Sequence, residues 1–75
     1  MTRFPALTAK KVIKKARKAG FIFDRYAKGS HQIWYNPKTK KRFTIPFHRG
    51  KTLKRKTLKS IINQMGLTTQ QFNRL

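Results

Sequence analysis

His31 follows directly on Gly29 and Ser30, and His48 sits in the run Pro46-Phe47-His48-Arg49-Gly50-Lys51. They are the only two histidines in a chain with 20 lysines and arginines against one acid, Asp24, for a net charge of +19. One carboxylate cannot hold the pair of metal ions that a two-metal nuclease uses, so metal-dependent phosphodiester hydrolysis is disfavoured. Two histidines without any cysteine also fall short of a zinc site. Neither metal nor cofactor is therefore expected. The route left is metal-free cleavage of RNA, in which the substrate's own 2′-hydroxyl attacks phosphorus. Histidine moves protons near neutral pH, and lysine and arginine steady the charge of the transition state. DNA lacks that hydroxyl and would not be cut this way. The residue types alone leave two roles for His31: a proton carrier, or a structural histidine bonded to the backbone of its turn.

The elements that must position these groups are legible from periodicity. In TAKKVIKKARKAG, Ala9, Val12, Ile13, Ala16 and Ala19 follow a helical stripe, Thr8 can cap the start, and Gly20 supplies the stop. FIFDRY, HQIWYN and RFTIPF read as three strands joined by AKGS and PKTKK, with spacings short enough for an antiparallel meander. Pro46 ends the last ladder because it has no N–H to donate. HRGKTLKRK is a basic loop, and Leu58, Ile61, Ile62 and Met65 make the stripe of a second helix that Gly66 stops. Thr68 and Gln71 have the spacing of a capping box, so a short terminal turn is expected there. The predicted fold class is α+β: one domain over residues 1–75, in the order α-β-β-β-α, with two helices on one face of a three-stranded antiparallel sheet. Phe21, Phe23, Phe43 and Ile45 are the expected sheet contribution to the core. Parity then places His31 on the face of Ile33, either half-buried under the helices or at the sheet rim. Packing is the expected role of Trp34, Tyr26 and Tyr35 alike, with Trp34, whose parity opposes Ile33, the best of them to stack on a base.

Self-repulsion at this net charge points to a polyanionic or acidic partner. Lys10, Lys11, Lys14, Lys15, Arg17 and Lys18 crowd one side of the first helix, with like charges at i, i+4 and no acid to relieve them. This face is expected to track the phosphates of RNA rather than serve only as a solvated surface. Lys51, Lys54, Arg55, Lys56 and Lys59 gather at the start of the second helix, where cations oppose the helix dipole and a bound phosphate would satisfy both. Lys28 and Lys51 flank the histidine-bearing turns and are expected to hold the reacting phosphate. Membrane binding is disfavoured, because neither helix sets large apolar residues against a basic face and no window approaches the ~20 apolar residues of a span. The opening MTRFPALTAKK carries no apolar stretch of signal-peptide length. With the lack of cysteine, this makes a cytoplasmic setting the expectation.

The runs KVIKKARKAGFIFDRYAKGSHQIWYNP and KRFTIPFHRGKTLKRKTLKSIINQMGLTTQQF are similar to the HicA toxins, the mRNA interferases of bacterial and archaeal toxin–antitoxin pairs. The resemblance covers roughly residues 8 to 72. It is carried by Ala19-Gly20-Phe21, Gly29-Ser30-His31, Pro46-x-His48-x-Gly50-Lys51 and Thr57-Leu58-x-x-Ile61. It implies a fold like that of double-stranded-RNA-binding domains and cleavage of mRNA, with His31 catalytic and Gly29 and Ser30 forming the turn that presents it. It also implies a HicB antitoxin as partner. His48 matches a frequent family position and is a second candidate for acid–base work or phosphate contact. Lys56 departs from the resemblance, standing where the family commonly has glycine before the threonine of the second helix. The rival expectation is a non-catalytic RNA-binding module of the same fold. A DNA-binding subunit is disfavoured for want of a helix-turn-helix spacing.

Overall fold

Thr8 opens the first helix by accepting the Lys11 amide on its hydroxyl, and α1 then runs Ala9–Lys18. Lys15, Arg17 and Lys18 in its last turn complement the negative end of the helix dipole. The computed structural model describes residues 6–75. Residues 1–5, which the sequence places in the same domain, lie outside the described residues. After α1 come β1 (Ile22–Tyr26), β2 (His31–Asn36), β3 (Lys41–Pro46), α2 (Arg55–Gln64) and the short α3 (Thr69–Asn73). The strands form one antiparallel sheet in the order β1-β2-β3. This is the α-β-β-β-α arrangement expected, with the terminal turn at Thr68 present as α3. Its capping box is complete, since the Thr68 hydroxyl accepts the Gln71 amide and the Gln71 side chain accepts the Thr68 amide.

The core lies between the helices and one face of the sheet. Val12, Ala16, Leu58 and Ile61 meet Phe21, Trp34, Phe43 and Ile45, and Phe72 of α3 closes one side. Phe21 and Phe43 pack edge to face with centroids 5.1 Å apart. Asn36 is the one buried polar residue among those described. Its amide donates to the Ala19 carbonyl at 3.1 Å and accepts the Lys38 amide at 3.0 Å. It thereby ties the end of α1 to the β2–β3 turn. Gln64 of α2 accepts the Thr44 amide at 3.1 Å, which occupies a donor on the β3 edge.

Register corrects three sequence expectations. Trp34 pairs with Phe43 and Gln32 with Ile45, so Trp34 points into the core at 3% exposure rather than out to stack on a base. Ile33 and His31, opposite Thr44 and Pro46, therefore face away from the helices. Phe23 is not core: it pairs with Trp34 and shares its face, but β1 is an edge strand and leaves it 41% exposed. A bulge in β1 follows it, where register slips between Phe23 and Arg25, and one extra residue there shifts every later side chain of the strand to the other face. The sequence FIFDRY carries no glycine or proline that would announce such a slip. Element ends also move slightly. Phe21 precedes β1, and α2 starts at Arg55, inside the run expected to be a basic loop, with Lys54 as a cap that makes no side-chain capping bond.

Candidate functional site

The β1–β2 hairpin turn sets the site's geometry. Gly29 holds φ +68 at the first central position of Lys28-Gly29-Ser30-His31, a conformation that costs other residues about 1–2 kcal/mol. That turn brings the Lys28 carbonyl back over the start of β2, where it accepts the His31 amide at 3.4 Å and the His31 ring Nδ1 at 3.0 Å. A carbonyl oxygen can only accept, so Nδ1 carries the hydrogen in this bond. The Nε2 of a neutral His31 is then left with its lone pair, on an exposed ring. The turn contact and a free proton-accepting nitrogen are thus present together, and the two roles left open for His31 are not exclusive.

His48 reaches the same end of the sheet from the other side. Pro46 pairs with His31 and ends the regular ladder. One further bond, from the Phe47 amide to the Ser30 carbonyl at 3.0 Å, keeps the chain beside the turn. Ser30 Oγ and His48 Nε2 come within 3.5 Å, the long limit of a hydrogen bond. Beyond His48 the chain reverses through Arg49 and Gly50, whose φ of +76 lets the Lys51 amide return to the His48 carbonyl at 3.2 Å. Gly29, Ser30, His31, His48 and Lys51, spread over 23 positions of sequence, therefore share one rim. Among the described residues no three metal-ligating side chains come together.

The cations expected to hold RNA divide in the structure. Lys10, Lys11, Lys14 and Lys18 are exposed along α1, Lys28, Lys51 and Lys54 are exposed near the rim, and Lys56 is exposed toward the start of α3. Thr8 bridges to Thr52, and the Leu53 amide donates to the Leu7 carbonyl at 2.8 Å. These links bring the first turn of α1 beside the 51–54 loop. Lys15 stands apart. Its Nζ donates to the Leu75 carbonyl at 3.1 Å and lies over the Phe72 ring, which fastens α3 to α1. Arg17 lies over Trp34 at 5.2 Å. α2 begins without an acid in its first turn, and its cap residue, Lys54, together with Arg55 and Lys56 surrounds the positive end of the dipole. Three features of the site were not legible from the sequence: the Lys28 carbonyl as partner of His31, the Ser30–His48 contact, and the bulge that turns Tyr26 toward Phe23. The first arises within the hairpin turn itself, and the second from where β3 docks on β2, which only register reveals.

A Gly29→Ala variant tests the turn. The methyl group meets no atom within 4 Å, so any penalty comes from the positive φ and not from crowding. Thermal melts are expected to show a loss of about 1–2 kcal/mol, several degrees in Tm for a domain of this size. An unchanged melt would mean that the turn has another geometry.

A family model described as the HicA toxin of bacterial toxin–antitoxin systems matches residues 9–67, well over half of the chain. No curated protein matches it.

Proposed function

Because the chain belongs to the HicA toxin family of bacterial toxin–antitoxin systems, we propose that it is the toxin's ribonuclease, cutting single-stranded messenger RNA without a metal ion. Membership implies a cognate antitoxin, and a HicB-type protein that covers the rim around His31 is the partner proposed here. In the proposed reaction the substrate's 2′-oxygen bonds to phosphorus, the P–O5′ bond breaks, and the products are a 2′,3′-cyclic phosphate and a 5′-hydroxyl. His31 Nε2 takes the 2′-hydroxyl proton, and His48, at the same rim, is the group placed to return a proton to the departing 5′-oxygen. Lys28 and Lys51 hold the phosphate and offset the charge that builds on its oxygens. Gly29 and Ser30 are positioning residues: one shapes the turn, the other touches His48.

The observation that carries this reading is the bond from His31 Nδ1 to the Lys28 carbonyl. It orients the ring and leaves one nitrogen for substrate, which a passive phosphate-binding turn would not need. The test is incubation of the purified chain with a defined single-stranded RNA in EDTA, beside the same sequence fully 2′-O-methylated. Cleavage of the first, with cyclic phosphate ends, and survival of the second are expected. Tight binding with no cleavage of either would assign a binding module instead. Cleavage of the methylated strand, or a requirement for a divalent ion, would reject the mechanism.

A further inference from the structure

The bulge in β1 acts on the helix side of the sheet. With Asp24 as the extra residue, Phe23 and Tyr26 come to the same face, and their rings meet edge to face with centroids 5.0 Å apart. Phe23 in turn packs edge to face on Trp34 at 5.7 Å. The three rings step outward from the core: Trp34 is 3% exposed, Phe23 41% and Tyr26 72%. Beside them, α1 presents Lys10 and Arg17, seven positions apart and so nearly in line along the helix. Rings and cations line one open groove of about 480 Å³, together with Gln32. Exposed aromatics in contact with one another beside a groove mark a candidate binding surface.

We propose that this groove is a nucleobase subsite, in which an unpaired base of an RNA strand stacks on Tyr26 and Phe23 while its phosphates lie on Lys10 and Arg17. Two observations favour nucleic acid over a protein strand added to β1. The groove's charged lining is wholly basic, and the chain's one acid, Asp24, is engaged by Arg25 and Arg42 rather than facing the groove. The aromatic ladder also offers the flat, sequence-tolerant platform that single-strand binders use. The position fits a strand that continues to the rim: Tyr26 pairs with Gln32, and Ala27 donates to the His31 carbonyl at 2.9 Å. An RNA strand leaving the groove therefore has only the hairpin end to cross before it meets His31. The inference rests on RNA being the substrate, and it adds that bases in a duplex, which cannot enter the groove, are bound less well than unpaired ones.

The experiment measures anisotropy of an end-labelled, 2′-O-methylated RNA of about ten nucleotides, which cannot be cleaved, so binding is read apart from catalysis. Abasic residues are introduced one position at a time. One position is expected to weaken binding by about tenfold, and Tyr26→Ala should weaken the intact strand by a similar factor while losing sensitivity to that abasic site. Tyr26→Trp should keep the affinity, and duplex binding should not respond to either change. Tyr26 is largely solvent-exposed, so the variants should fold. Unaltered single-strand binding by Tyr26→Ala would overturn the subsite and leave the nuclease reading standing. An equal loss on duplex would also overturn it. Loss of the cognate antitoxin with RNA affinity retained would assign the groove to protein instead. No binding of any RNA by the unaltered chain would overturn the nuclease reading and the subsite together.

Discussion

His31→Ala is expected to lower metal-free RNA cleavage by about 10²–10⁴-fold, the range that a positioned proton-transferring side chain contributes. Affinity for uncleavable RNA should stay within about twofold, because a neutral imidazole adds nothing to the release of counterions. The separation of rate from binding is the informative part. His31 opens β2 on an exposed position, and the hairpin holds its backbone independently through the Ala27 amide and the Lys28 carbonyl. Removing the ring should thus leave the fold intact, which a melt of the same variant checks. Equal losses of rate and binding would make His31 a structural residue. His48→Ala should reduce the rate by a smaller factor if water can replace it as the proton donor, and unchanged kinetics would remove His48 from the reaction.

The second large effect is that of salt. If Lys10, Lys11, Lys14, Lys18, Lys28 and Lys51 each neutralise one phosphate, log K should fall with log salt at a slope near −4, using about −0.7 per contact for single strands. Between 50 and 200 mM salt this amounts to a loss of about 300-fold in affinity. Replacing Lys14 and Lys18 by glutamine should flatten the slope by about 0.7 each. Lys15→Gln should act differently. Its ammonium is engaged with Leu75 and Phe72, so the variant is expected to loosen α3 in a melt more than it changes the salt slope. A flat salt response of the unaltered chain would reject phosphate tracking by α1.

The Nδ1–carbonyl bond also bears on how an antitoxin would work. A partner that buries the rim has only to occupy the space before His31 Nε2, and an acidic surface would meet the same lysines proposed to hold RNA. On the proposed reading, steric cover and charge competition would act together, and high salt should weaken both complexes.

Much of this protein can be read along the chain. The stripes Val12, Ile13, Ala16 and Leu58, Ile61, Ile62 announce two helices, because a helix returns a side chain to the same face every 3.6 residues. Thr8 and the Thr68–Gln71 pair mark starts because their side chains satisfy amides that the helix leaves open. The Gly29-Ser30-His31 turn was legible too, since a positive φ nearly demands glycine. What the sequence could not decide is which face each strand buries and what meets across it. Strand parity has a period of two and no sign, so HQIWYN reads equally well with Ile33 or Trp34 inside; pairing of Trp34 with Phe43 across the ladder chose Trp34. The one-residue slip at Asp24 then set Phe23 and Tyr26 on a shared face, and the docking of β3 on β2 brought His48 to Ser30. Local chemistry thus determined the elements, their ends and the presence of a histidine-bearing turn. Only long-range register, which no short-range rule encodes, decided which residues share the site.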